Sequence, residues 1–185
     1  MPIYIALFRG INVAGNILPM TELVSILESL SCQNVKTYIQ SGNAVFSHPT
    51  ADPAQLSVRI AAEIQSHRGF ESCVILLTLA EIEAAMAANP FTHAVINPSR
   101  LHLGFLASIP KHPNLQAIEK LRIPSESYQL IDRVFYLYAP DGIGRSKLAA
   151  STEKLLGVTM TDRNWNTVVK LVEMAEELSS SGQGN

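Results

Sequence analysis

The chain has 185 residues, of which 47% are hydrophobic and 16% are charged, and its formal net charge is -2. This length and apolar content suit one large domain or two small ones, and the charge balance excludes a general nucleic-acid binder, which needs a basic excess. The two cysteines and five histidines show no metal-ligand spacing, so we expect neither a metal nor a cofactor.

Short apolar runs rich in β-branched and aromatic residues predict strands, whereas apolar residues at helical spacing predict helices. The first part of the chain gives the order strand, helix, strand, strand, helix, strand, helix, at residues 3–8, 19–30, 35–39, 44–46, 52–64, 74–77 and 78–86. Asp52 is typical of a helix N-cap, and Thr78 with Glu81 forms a capping box.

The second part of the chain repeats this order of elements, although its residues do not visibly repeat. The predicted elements follow at residues 101–106, 115–121, 128–131, 134–138, 148–156, 158–161 and 168–178. A βαββαβ unit is the ferredoxin-like motif. The sequence therefore predicts an α+β fold of two tandem ferredoxin-like halves, each with an added helix. The predicted halves are residues 1–88 and 101–178. Residues 89–100 form the predicted linker, and residues 179–185 form a predicted disordered tail.

We expect no secretory signal at the N-terminus. The N-terminal residues lack a basic region, and the apolar run over residues 2–8 is too short for a secretory signal or a membrane span. We therefore expect a cytoplasmic protein with no membrane partner, present as a monomer or weak dimer.

The first polar, glycine-rich segment covers residues 9–15, between a strand and a helix, where backbone N–H groups can point at an anion. Gly10 and Gly15 have the spacing of a phosphate loop, but Asn16 and Ile17 stand where that loop needs Lys and Ser or Thr. This excludes a P-loop nucleotide triphosphatase. The alternative is a turn that needs glycine for its backbone angles.

The second segment covers residues 38–43, at a predicted hairpin tip. Gln40, Ser41 and Asn43 would present hydrogen-bonding groups to a ligand, or would satisfy the turn's own backbone.

The third segment, residues 141–147, enters a helix with two glycines, Ser146, Arg145 and Lys147. Such a helix start suits a phosphate or carboxylate. The alternative is a flexible turn with solvated cations.

The fourth segment, residues 161–167, begins the last helix, which Asp162 or Asn164 can cap. Trp165 is the one tryptophan of the chain, and its ring would stack on a planar ligand or pack in the core.

Two strands carry further side chains that could face a ligand. His102 points to the face opposite the apolar residues of its strand, so it faces a cleft or is a hydrogen-bonded structural histidine. Tyr136 and Tyr138 share a strand face, as do the base-stacking aromatics of RNA-binding βαββαβ domains. Residues 41–46 lack the aromatic pattern of the main motif of those domains.

Five ordered motifs resemble those of the bacterial domain-of-unknown-function family DUF1697, at residues 9–15, 38–43, 89–91, 142–148 and 163–167. The resemblance covers nearly the whole chain and implies the two-half architecture, but the family has no established activity and supplies no catalytic residues. The chain departs from the family pattern where Ala14 replaces a glycine and residues 16–18 lack a lysine. If that lysine binds an anion in relatives, binding here is weaker.

Four of the 14 basic residues lie in these segments, which favours a phosphate- or carboxylate-bearing small ligand in a polar cleft between the halves. The candidate binding residues are Arg9, Gly10, Asn12, Gln40, Ser41, Asn43, Arg145, Ser146, Lys147, Arg163, Asn164, Trp165 and Asn166. No paired acid and base are evident, so the sequence assigns no enzymatic reaction. The alternatives are a structural role for the motifs between the halves or a protein-interaction surface, and weak binding of single-stranded nucleic acid.

Overall fold

The computed structural model describes residues 1–40 and 42–181. It confirms the predicted α+β class, with two four-stranded sheets built from antiparallel strand pairs and accompanied by helices. The chain divides into two compact units. The first unit is Met1–Ala84 together with the chain from Lys170 onward, and the second unit is Ala85–Val169.

The first unit is built around a sheet with the strand order β2-β3-β1-β4. The elements of this part of the chain are β1 (Ile3–Arg9), α1 (Met20–Ser29), β2 (Gln33–Tyr38), β3 (Asn43–Ser47), α2 (Pro53–Arg68), β4 (Cys73–Thr78) and α3 (Leu79–Ala87). Strand β1 is central, since Ala6 lies opposite Ala44 of β3 and Leu76 of β4. Its side chains are therefore buried from Tyr4 to Phe8.

The second unit is built around a sheet with the strand order β6-β7-β5-β8. The elements of this part of the chain are β5 (Leu101–Leu106), α4 (Leu115–Leu121), β6 (Ser127–Ile131), β7 (Val134–Tyr138), α5 (Lys147–Leu156), β8 (Met160–Asn164) and α6 (Trp165–Ser181). From Lys170 onward, α6 belongs to the first unit. Two 3-10 turns, Thr92–Ile96 and Ile143–Arg145, precede β5 and α5. The first of these turns lies within the segment predicted as a linker.

The local signals for helix ends are confirmed. The Asp52 carboxylate accepts a hydrogen bond from the Gln55 N–H at 3.0 Å, at the start of α2. The Thr78 hydroxyl oxygen accepts from the Glu81 N–H at 3.2 Å, and the Glu81 carboxylate accepts from the Thr78 N–H at 2.7 Å. Gly157 ends α5 in the left-handed conformation, with φ 69°. Each cap satisfies backbone groups that the helix itself leaves unpaired.

Strand β8 was predicted over residues 158–161, and this prediction is wrong in position. The strand instead covers Met160–Asn164, inside the polar segment that was interpreted as a helix entry. Its pairing with β5 buries Thr161 and Arg163 on one face, where the Arg163 guanidinium donates to the Thr161 hydroxyl at 2.8 Å. The apolar alternation that predicts a strand is absent because these buried positions are polar.

Helix α6 continues through residues 179–181, which composition placed in a disordered tail. The Ser180 hydroxyl donates to the Glu176 carbonyl at 3.0 Å, and the Ser181 hydroxyl donates to the Glu177 carbonyl at 2.8 Å. These bonds pair the two serine hydroxyls with the backbone of the preceding helical turn. The rest of that predicted tail, residues 182–185, lies outside the described residues.

Candidate functional site

The four predicted segments meet in pairs inside each unit. In the first unit, residues 9–15 leave the end of β1, beside the start of the antiparallel strand β3. In the second unit, residues 141–147 follow β7 and residues 161–167 contain the end of β8, and both strands run antiparallel to β5. We call residues 9–18, 39–40 and 42–43 the asparagine corner, and residues 97–102, 139–147 and 162–165 the cationic edge.

Asn12 holds the asparagine corner together. Its side-chain amide donates to the Leu18 carbonyl and to the Gln40 carbonyl, each at 2.9 Å. Its side-chain oxygen accepts from the Leu18 N–H at 2.8 Å. Asn12 also adopts a positive φ of 54°, which asparagine tolerates better than most residues. Both donors and the acceptor thus serve the protein's own backbone.

Other polar side chains of the asparagine corner have similar partners. The Asn16 amide donates to the Gly10 carbonyl at 2.9 Å, and the fully buried Asn43 amide donates to the Tyr38 carbonyl at 3.1 Å. Of the predicted ligand residues here, Arg9 and Gln40 have exposed side chains. Ser41 lies outside the described residues.

Gly42 lets the hairpin pack closely against the first loop. Its φ is 90°, and a Cβ atom at this position would lie 2.8 Å from Ile11 Cδ1 and 2.9 Å from Phe8 Cβ. Its carbonyl accepts from the Phe8 N–H at 2.9 Å. Only glycine combines this backbone conformation with this close approach.

The cationic edge is assembled by backbone contacts on both sides of the start of β5. The Ala139 N–H donates to the Arg100 carbonyl at 2.9 Å, and the Trp165 N–H donates to the Pro98 carbonyl at 3.1 Å. His102 lies opposite Asn164 in the sheet register. The third and fourth predicted segments therefore converge, and they do so around residues 97–102, which the sequence analysis treated as linker and strand.

The guanidinium of Arg100 packs against Gly142 in the third segment, residues 141–147. Gly142 has φ 98°, and a Cβ atom there would lie 2.6 Å from Arg100 Nη1. The side chains of Arg100, Arg145 and Lys147 are exposed and form no ion pair within the described part of the chain. The cationic edge thus carries three cations without a paired carboxylate.

Ser146 and Asn164 act as helix caps at this edge. The Ser146 hydroxyl oxygen accepts from the Ala149 N–H at 3.0 Å and caps α5, and its side chain is buried. The Asn164 side-chain oxygen accepts from the Thr167 N–H at 3.0 Å at the start of α6. Both residues were predicted as ligand contacts, and both have a local structural partner.

Arg163 differs from the other predicted cations because it is buried, with 8% of its surface exposed. Its guanidinium donates to the Thr161 hydroxyl at 2.8 Å and to the Asp162 carbonyl at 2.7 Å. Burial lowers the pKa of Arg163 to about 10, against the opposing effect of the Asp162 charge. By strand alternation its side chain points away from the face that carries the Asp162 side chain.

Trp165 and Asn166 complete the predicted set. Trp165 is partly exposed and Asn166 is exposed, so part of Trp165 is accessible at the cationic edge. An aromatic face at such a position can stack on a planar group.

A histidine and an aspartate outside the predicted set form a pair on the same sheet. His102 Nδ1 lies 2.7 Å from Asp162 Oδ2, and the histidine is buried whereas 34% of the Asp162 side chain is exposed. His102 Nε2 is also buried and has no hydrogen-bond partner among the described residues. From the sequence, His102 was a candidate for a cleft and Asp162 for a helix cap, but only the strand register brings them together.

One surface pocket of the second unit lies away from the motifs, between α4 and β6. It has a volume of about 430 Å³ and is lined by residues that include Glu119, Arg122 and Tyr128. The Arg122 guanidinium already donates to the Glu119 carboxylate at 2.7 Å. The charged side chains of this pocket therefore already bind each other, and we do not regard the pocket as the candidate site.

None of the helices in the described ranges combines the length and apolar character that a membrane span requires. No group of three or more histidine, cysteine or acidic side chains that could hold a metal ion occurs in those ranges either.

Comparison with known proteins identifies relatives without an assigned activity. The chain is similar to the structure of a conserved bacterial protein from Streptococcus pneumoniae, with 26% sequence identity and a TM-score of 0.70, over 95% of this chain and 99% of the other. No protein with a curated description matches. The family described as "Protein of unknown function (DUF1697)" matches residues 1–136. The chain thus belongs to the DUF1697 family.

Proposed function

We propose that the protein binds a small anionic ligand, with a phosphate or carboxylate group, at the cationic edge of the second unit. The observation that carries this proposal is the packing of the Arg100 guanidinium against Gly142, in the segment 141–147 that also carries the exposed Arg145 and Lys147. Cations that have no ion-pair partner gain a favourable charge interaction when an anion contacts them. Guanidinium groups also offer the planar donor pair that phosphate and carboxylate prefer.

The start of α5 supports the same ligand class. Ser146 caps this ten-residue helix, and the N-terminus of a helix carries a partial positive charge that favours anions. Asp141 is the nearest acidic residue in sequence, and its carboxylate accepts a hydrogen bond from the Ser125 hydroxyl at 2.7 Å. The proposal thus keeps the ligand class predicted from the sequence and draws its residues from one unit.

We further propose that each unit is a ferredoxin-like fold. The order β-α-β-β-α-β and the central position of the first and third strands in each sheet support this assignment. In such a unit the loops at the two ends of the sheet are free to carry ligand groups, while the strands hold them in place.

A purely structural role is the second candidate, and we propose it for the asparagine corner alone. The three hydrogen bonds of Asn12 to backbone groups favour it. Stacking of bases on Tyr136 has no comparable support. Its ring is buried, its hydroxyl donates to the Ala85 carbonyl at 2.7 Å, and burial followed by the Asp132 charge raises its pKa to about 12.

Thermal unfolding with and without inorganic phosphate, methyl phosphate or acetate tests the proposed function. A ligand at a hundred times its Kd adds about 2.7 kcal/mol of stability, which corresponds to roughly 5–11 °C in Tm for a chain of this size. Trp165 fluorescence gives an independent signal because this sole tryptophan lies at the cationic edge.

The control for this experiment is matched in charge. Arg145→Ala/Lys147→Ala should abolish the shift, whereas Lys111→Ala/Lys120→Ala removes two exposed cations elsewhere in the second unit and should retain it. Equal shifts in the two variants, or no shift with any of the three anions, would contradict the proposal.

A further inference from the structure

Arg100 and His102 lie on the same face of the extended chain that begins β5. The Arg100 carbonyl accepts from the Ala139 N–H, so the ladder between β5 and β7 extends to this residue. Residues two apart in a strand point to the same side, about 7 Å from each other. His102 is therefore on the side of the sheet where the Arg100 guanidinium contacts Gly142.

The bond to Asp162 fixes which nitrogen of His102 carries the proton. The carboxylate accepts, so Nδ1 is the donor at 2.7 Å, and Nε2 of the neutral ring then presents a lone pair. A carboxylate that holds one imidazole nitrogen in this way also makes the other a better acceptor.

The lone pair of Nε2 lacks a donor. The atom is buried and has no hydrogen-bond partner within residues 1–40 and 42–181. A buried polar group without a partner is costly and uncommon, and such groups occur most often where function requires them. His102 thus combines a fixed orientation with an acceptor that no protein group uses.

From this arrangement we infer that His102 Nε2 accepts a hydrogen bond from a hydroxyl group of the ligand, so that the ligand is a hydroxylated phosphate or carboxylate. The inference rests on the proposed function, since the anionic group of the same molecule is held by Arg100, Arg145 and Lys147. Because Nε2 is buried, the ligand hydroxyl reaches it only when the groups that cover this atom move aside.

The competing explanation is that His102 is a structural histidine of the sheet. Its Nε2 would then be only a cost to stability, and replacement by an apolar side chain would remove that cost. Asp162 has 34% of its side chain exposed, so water can solvate its carboxylate when the histidine is replaced. Under this explanation no ligand would distinguish the two side chains.

Two pairs of probes that differ by one hydroxyl group test the inference. These are 2-hydroxyethyl phosphate against ethyl phosphate, and 3-hydroxypropionate against propionate. Calorimetric titration should show that the hydroxylated member of at least one pair binds roughly 2- to 10-fold more tightly, the range for one hydrogen bond. His102→Leu should remove this preference and leave the affinity for the member without the hydroxyl unchanged.

Asp162→Asn serves as a second variant, which keeps the imidazole and removes the carboxylate that fixes it. The hydroxyl preference should fall in this variant too, and the ¹⁵N signal of His102 Nε2 should move on titration with the preferred probe in the wild type alone. This variant carries the test if His102→Leu fails to fold.

The outcomes separate the inference from the proposed function. Equal affinity for both members of each pair, with binding still lost in Arg145→Ala/Lys147→Ala, overturns the role of His102 and leaves the anion site intact. Absence of binding by all four probes overturns both. A hydroxyl preference that persists in His102→Leu overturns the role of His102 alone.

Discussion

The asparagine corner and the cationic edge look alike in sequence and differ in what their polar side chains contact. In both, a loop with glycines leaves a sheet and meets a second motif. In the asparagine corner, Asn12 gives all its hydrogen-bonding groups to backbone partners. At the cationic edge, Arg100, Arg145 and Lys147 stay exposed and unpaired with described residues. Polar motif residues thus indicate a ligand site only where the fold leaves them without partners.

The largest effect should come from Gly42→Ala at the asparagine corner. The substitution adds a positive-φ strain and a contact of 2.8 Å with Ile11, so the free energy of unfolding should fall by about 3 kcal/mol or more. Urea denaturation measures this loss. Gly15→Ala is the matched control, because Gly15 has φ 88° and open space around it. It should lose only about 1 kcal/mol, and an equal loss in both variants would show that packing against Ile11 is unimportant.

Asn12→Ala should have the next largest effect, because it removes three hydrogen bonds to backbone groups. We expect a loss of roughly 2–3 kcal/mol in the free energy of unfolding, measured in the same way. Asn16→Ala removes a single bond to the Gly10 carbonyl and should cost about 1 kcal/mol. Unchanged stability together with altered ligand binding in Asn12→Ala would contradict the structural role of the asparagine corner.

Ser146→Ala separates the structural and binding parts of the cationic edge. Loss of the cap on α5 should cost about 1 kcal/mol of stability, while the Tm shift with anions should persist, because the Ser146 hydroxyl oxygen already accepts from Ala149. Thermal unfolding with and without phosphate measures both quantities. Ser151→Ala, inside the same helix, should keep or slightly raise stability. Loss of the anion shift in Ser146→Ala would make the hydroxyl a ligand contact.

The smallest effect on stability should come from Arg145→Ala/Lys147→Ala. Both side chains are exposed and lack ion pairs with described residues, so the free energy of unfolding should change by no more than about 0.5 kcal/mol. Chemical denaturation without added anions is the measurement. A loss above about 2 kcal/mol would place these cations among the structural residues and would remove the contrast with the asparagine corner.

The sequence predicted those parts of the fold that depend on neighbouring residues. The caps at Asp52 and at Thr78 with Glu81, and the glycine that ends α5, follow from a few positions each. The pattern of apolar residues located the strands other than β8, because apolar residues recur along each of them. Such signals act within one element and need no knowledge of its partners.

The parts that were missed depend on how strands pair. Strand β8 has buried Thr161 and Arg163 in place of apolar residues, which only its register with β5 explains. Arg100 lay in a segment interpreted as a linker, and it joins the cationic edge through the ladder to Ala139. The pair of His102 with Asp162 likewise joins positions that are sixty residues apart in the chain.

The close approach of Arg100 to Gly142 makes a prediction about variation among relatives. Any larger residue at the position of Gly142 would displace the guanidinium, since a Cβ atom there would lie 2.6 Å from Nη1. Relatives with a larger residue at this position should therefore hold the arginine side chain in another rotamer, away from this loop. Under the proposed function, relatives that keep both the glycine and the arginine are the family members in which we expect anion binding.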